Sequence, residues 1–181
     1  MKPWVLAAFA ALSVSTASAA CQTSAAGFSQ PGGRLDEALQ TLARGTGCPV
    51  EVDPALLDGR RAAPAQGTLT PPEALAGLLR GTGLEGRPGV GGLTVDRRDQ
   101  EAVLGRADQL MAQLEQAVAE RRLSQARANR WRSALTAVRR GVQQDARRQG
   151  FVSAAERASY GRTLAGIEQG LGELTTLRPA R

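Results

Sequence analysis

"GTLTPPEALAGLLRGTGL", residues 67–84, decides how the first half of this chain folds. Thr70 stands where a helix N-cap belongs, Pro71 suits a first helical turn, and Glu73 occupies the third position of a capping box. Ala74, Leu75, Leu78 and Leu79 recur at helical spacing, which predicts one buried stripe. Gly81 or Gly83 stops the helix. None of these side chains offers a reactive group. The segment specifies a core and its caps.

The same order of signals occurs once before it. "GFSQPGG" predicts a short strand at Phe28 and a tight turn, and Leu35, Ala38, Leu39 and Leu42 then follow at helical spacing until "GTG" at Gly45 to Gly47. "CPVEVD" alternates, with Val50 and Val52 on one face and Glu51 and Asp53 on the other, as in a half-buried strand. "DPALLDGRR" is a turn, followed by one more short strand. "LEGRPGVGGLTV" closes the region as a hairpin with its tip at Pro88 to Gly92. Its glycines lack the Lys-Ser/Thr and the following helix that a phosphate loop needs.

Taken together, Phe28, Pro31 and Leu35, then Ala38 and Leu39, then Asp53, Pro54, Leu56 and Gly59, then Thr70, Glu73 to Leu75, Leu78, Leu79 and Gly81 to Leu84 form a pattern that resembles the STN domain. That is the short N-terminal domain of secretins and TonB-dependent receptors. The resemblance implies two βαβ layers with an exposed sheet edge, used to dock another envelope protein. In receptors that signal, the implied partner is a periplasmic regulator; in secretins it belongs to the inner-membrane assembly. In that family a large β-barrel or a long secretin body follows the domain, whereas here an arginine-rich helical segment does.

The ends of the chain bear on its compartment. Met1-Lys2, the apolar run Trp4 to Val14 and the small residues Ala17 to Ala20 read as a secretory signal peptide over residues 1–20. Cys21 follows directly, which raises acylation of that cysteine as an alternative, although Ser18 stands where a lipobox carries a large aliphatic residue. In an oxidising compartment Cys21 and Cys48 pair and tie the N-terminal arm to the first domain. Two unrelated thiols, one of them lipidated, is the other reading.

The chain has no histidine. The commonest general base and metal ligand is therefore missing, and Ser-His and Cys-His catalysis are excluded. An enzyme built from this sequence would run on carboxylates. Glu51 and Asp53 share one side of a strand, and such a pair in principle serves glycoside cleavage. No aromatic sugar platform accompanies them, and an exposed polar face is the simpler account. No cofactor or metal is expected, and the protein reads as a non-enzyme.

Charge divides the chain near "TVDRRDQ", residues 94–100. Residues 21–96 carry six Arg against eight Asp and Glu, and residues 97–181 carry sixteen Arg against nine. The second half is helical. Val103, Ala107, Leu110, Leu114 and Ala117 form one seam, Ala128, Trp131, Leu135, Val138 and Val142 a second, and Tyr160, Leu164, Ile167, Leu171 and Leu174 a third. A weak repeat aligns Leu123 onward with Val152 onward, so that Ser124 matches Ser153, Trp131 matches Tyr160 and Gly141 matches Gly170. The fold class is therefore α+β: a small two-fold βαβ domain over residues 21–96, then an antiparallel bundle of about three helices over residues 97–181.

The functional expectation is a periplasmic interaction module, associated with the outer membrane, that docks a secretin, a TonB-dependent receptor or its periplasmic regulator. Edge-strand pairing is the physical route, and Glu51, Asp53, Arg60 and Arg61 are the expected contact face. The alternative is a structural envelope protein whose helical bundle binds anionic lipid or lipopolysaccharide through Arg121, Arg122, Arg139, Arg140, Arg147 and Arg148. A solvated helical face is the plainer account of the same arginines. A secreted protein does not meet nucleic acid, which removes that class of partner.

Overall fold

The computed structural model describes Cys21 and residues 23–176. The signal-peptide reading of residues 1–20 lies outside the described residues. The protein is an α+β fold. In chain order it runs β1 (Ala26–Gln30), β2 (Gly33–Arg34), α1 (Leu35–Thr46), β3 (Val50–Val52), a 3-10 turn (Pro54–Leu56), β4 (Arg61–Ala62), β5 (Ala65–Leu69), α2 (Pro71–Leu79), β6 (Glu85–Gly89), β7 (Gly92–Asp96), α3 (Arg98–Ala119), α4 (Gln125–Gln149) and α5 (Ala154–Thr176).

Two strands stand where one was expected after the "DPALLDGRR" turn, and proline is the reason. β1 pairs antiparallel with β5, and β2 with β4. The register carries through both pairs unchanged, from Ala26 opposite Leu69 to Arg34 opposite Arg61. This is one antiparallel ribbon, interrupted where Pro31 and Pro64 withhold backbone N–H groups. The Leu35 N–H continues it by donating to the Arg60 carbonyl.

The other sheet has the order β3-β7-β6, with β3 parallel and β6 antiparallel to β7. α2 lies between ribbon and sheet. A methyl group on Gly77 would stand 3.0 Å from the Ala65 Cβ of the ribbon, whereas Leu75 and Leu79 press on Gly86 of β6. The capping expected of α2 is present: the Glu73 carboxylate accepts the Thr70 N–H at 2.8 Å and its hydroxyl at 2.7 Å. Leu35, Leu39 and Leu42 of α1 join Leu75, Leu78, Leu79, Leu84, Leu93 and Val95 in one core. A disulfide joins Cys21 to Cys48, which is fully buried.

α3, α4 and α5 form an up-down-up bundle around Leu110, Leu114, Leu135, Leu164, Ile167 and Leu171. The ion pairs fix their directions. Arg132 meets Glu115, and Arg139 meets Asp108, so α3 and α4 are antiparallel. The sequence repeat has a packing cause. The ring of Tyr160 lies against Gly141, and that of Trp131 against Gly170, so the aromatic of each copy seats on the glycine of the other. Two antiparallel helices thereby approach closely at two places related by the repeat. The Tyr160 hydroxyl also donates to the Asp145 carboxylate, and burial, together with that bond, raises the Tyr160 pKa.

The bundle docks on the first unit along β6. The Gly86 N–H donates to the Gly150 carbonyl at 2.8 Å, and the Gly81 N–H to the Arg147 carbonyl at 2.7 Å. Glu85, 2% exposed, accepts the N–H groups of Asp99 and Gln100 at 3.0 Å each and so caps α3. The Gln100 amide donates back to the Gly83 carbonyl.

Gly150 has φ +80°, and a Cβ there would fall 2.4 Å from the Ala76 carbonyl oxygen. Gly81 has φ +81° with open space around it. Gly150→Ala is expected to cost roughly 2–4 kcal/mol and Gly81→Ala only about 1 kcal/mol, measured by chemical denaturation. Equal costs would contradict the close approach. Burial, aided by the nearby Asp99 and Asp96 charges and opposed by the two N–H groups, lifts the Glu85 pKa from 4.5 to about 7. The native state therefore holds a proton that the unfolded chain has released, so this group's contribution falls as pH climbs from about 4.5 to about 7. Relative to Glu85→Gln, the wild type should lose up to about 3 kcal/mol across that window. A constant difference would show that Glu85 titrates normally.

Candidate partner-docking site

The expected contact residues lie along β3, the 3-10 turn after it and β4. β3 is an edge strand, since β7 pairs with one side of it only. The Leu93 N–H donates to the Pro49 carbonyl, so alternation along the strand turns the Glu51 backbone toward β7 and those of Val50 and Val52 outward. Among the described residues, no backbone hydrogen bond is made from that outer edge. The Val50 and Val52 side chains pack on the core, and Glu51 between them is exposed.

The four charged residues divide by task. Asp53 caps the 3-10 turn, its carboxylate accepting the Ala55 N–H at 2.9 Å. Arg60 is half-buried and donates to the Leu56 and Thr82 carbonyls, which binds the turn to the loop after α2. Both hold the local backbone. Glu51 and Arg61 are exposed, with neither a hydrogen bond nor an ion pair from their side chains among the described residues. The Glu51 carboxylate faces solvent, whereas the exposed Asp53 carboxylate accepts the Ala55 N–H.

The ribbon register adds residues that local sequence does not reveal. Arg34 lies opposite Arg61 and meets Asp36 at 2.7 Å, with Glu37 at 3.4 Å. The guanidinium holds the Asp36 carboxyl below its usual pKa. Arg34, Asp36, Pro54, Leu57, Asp58, Gly59, Arg60 and Arg61 line an open hollow of about 580 Å³ at the turn that follows β3. Arg34 and Asp58, which no local pattern singles out, thus share the hollow with Arg60 and Arg61. A second hollow, of about 680 Å³, opens at the junction between Pro72, Ala76, Pro88 and the exposed Phe151.

The six arginines of the alternative reading do not form one row. Arg122 pairs with Glu120, Arg139 with Asp108, and Arg148 with Asp145 and Glu156. Arg121, Arg140 and Arg147 are exposed, without an acidic partner among the described residues. Arg121-Arg122 precedes α4 and Arg147-Arg148 ends it, with about 37 Å of helix between them.

Among the described residues, no helix is long and apolar enough to cross a membrane, and no three His, Cys, Asp or Glu side chains group as for a metal ion. No protein-family model and no curated protein matches the chain. Solved structures similar to it include the ferripyoverdine receptor of the outer membrane of Pseudomonas aeruginosa bound to ferripyoverdine. The identity is 29%, over 40% of this chain and 10% of the receptor chain, with a TM-score of 0.38. Another is P. aeruginosa FpvA bound to a heterologous pyoverdine and iron, at 30% identity over 39% and 9% of the two chains and a TM-score of 0.37. The chain thus spans about a tenth of the length of these receptors.

The exposed pair can be tested for a structural role. Glu51→Ala together with Arg61→Ala should change stability by no more than about 0.5 kcal/mol, whereas Arg60→Ala, which strands two carbonyls, should cost about 2 kcal/mol. Equal losses in thermal denaturation would make Glu51 and Arg61 structural as well.

Proposed function

We propose that this protein is a periplasmic, non-enzymatic docking module of the cell envelope. Its first domain adds a strand of a partner protein to the outer edge of β3. The partner classes are those implied by the resemblance of residues 28–84 to the STN domain: a secretin, a TonB-dependent receptor or its periplasmic regulator.

One observation carries the reading. The two edges of the β3-β7-β6 sheet are treated differently. β6 is closed by the Gly86–Gly150 hydrogen bond and by Pro88, which has no N–H to give. β3 presents the backbone groups of Val50 and Val52, with Glu51 exposed between them. Backbone pairing supplies affinity there, while Glu51, Arg61 and the rim formed by Arg34 and Asp58 select the partner by charge.

Val52→Pro removes an outward N–H while leaving the ladder to β7 in place, and Glu51→Arg with Arg61→Glu inverts the exposed charges. The first should reduce capture of an envelope partner at least tenfold with the fold retained, as judged by circular dichroism, and the second should change which protein is captured. Undiminished capture by both variants places the contact elsewhere.

A further inference from the structure

α4 carries seven arginines and one acidic residue, Asp145. The fold sorts them. Arg132 and Arg139 turn to α3 and pair with Glu115 and Asp108, and Arg127 lies over the Trp131 ring. Arg130, Arg140 and Arg147 have no acidic partner among the described residues and are exposed. At 3.6 residues per turn, Ala126, Ser133, Ala137 and Gln144 run along the side of α4 opposite the buried Ala128, Leu135 and Val142. Arg140 and Arg147 then line one flank of that spine, and Arg130 and Arg148 the other. The four span about 27 Å of helix.

We propose that this outer face of α4 binds the phosphate-bearing headgroups of an anionic phospholipid bilayer. The geometry favours a fluid anionic plane over an acidic protein. Protein interfaces are anchored by aromatic or large apolar groups in a desolvated centre, and the spine of this face has only alanine, serine and glutamine. A layer of mobile headgroups needs no anchor, because each guanidinium finds its own phosphate and can hold it through two donors. The small spine lets the helix lie close to the plane while arginines reach down from both flanks. Asp145 and Glu156 are the carboxylates that reach this face, both taken up by Arg148 at its end, so Arg130, Arg140 and Arg147 carry the unbalanced charge. The site is separate from the β3 edge, so either can fail without the other.

The test is sedimentation of the full chain, lacking residues 1–20, with vesicles of phosphatidylethanolamine containing about one third phosphatidylglycerol, at low salt. Phosphatidylcholine vesicles serve as the neutral comparison. Arg130→Gln, Arg140→Gln and Arg147→Gln combined should lower the partition coefficient on the order of a hundredfold, at about a factor of five for each arginine. Arg44→Gln, Arg98→Gln and Arg162→Gln combined remove the same net charge from three other exposed positions and should retain most of the binding. Added salt should release the wild type. Equal loss in the two variants would reduce the effect to net charge and overturn the proposal. So would binding to neutral vesicles, no binding to either vesicle, or binding to an acidic polypeptide alone.

Discussion

Glu85 is the group on which the arrangement of the whole chain depends. It ends the loop after α2, begins β6 and presents a buried carboxylate to the first N–H groups of α3. A helix of 22 residues thereby starts against the sheet in a set direction. Once that start is fixed, the turn between α4 and α5 returns to β6 and to α2, whose Ala76 carbonyl Gly150 can approach only without a side chain. One strand edge is used up by this docking. The other edge of the sheet is left open, and the candidate site exists because of that difference.

The cost of this arrangement is electrostatic. A carboxylate taken out of water beside Asp96 and Asp99 favours its neutral form. The two backbone donors and the positive end of the helix oppose that tendency, while Arg87 and Arg157 pair with the neighbouring aspartates. The junction is a cluster of charges around one buried carboxylate, so its strength depends on protonation. The bundle behind it is different in kind, held by leucine layers and by two aromatic rings seated on two glycines.

Much of this was legible in the sequence, because the signals were local. The stripes of α1 and α2, the Thr70–Glu73 cap, the hairpin at β6 and β7 and the three helical seams all depend on spacing within one element. What escaped depends on partners far away in the chain. No local pattern says that Arg34 lies opposite Arg61, or that Gly81, Gly86 and Gly150 meet; Gly81 reads only as a helix stop and Gly86 only as part of a hairpin. The backbone bonds of Asp53 and Arg60 were hidden for the same reason. A charged residue in a turn looks free until the carbonyl or N–H it binds is in view. The Gly141 and Gly170 match was visible as a repeat, yet its meaning required seeing each ring on the opposite copy's glycine.

A partner that docks by strand addition meets the open β3 edge and its charged rim, and not the β6 edge. This is tested most directly by placing a photo-crosslinking residue in living cells at position 51, with position 88 on the closed β6 edge as the internal comparison. One dominant crosslinked envelope protein is expected from position 51 and none from position 88. Crosslinks of equal strength from both positions, or from position 88 alone, would contradict it.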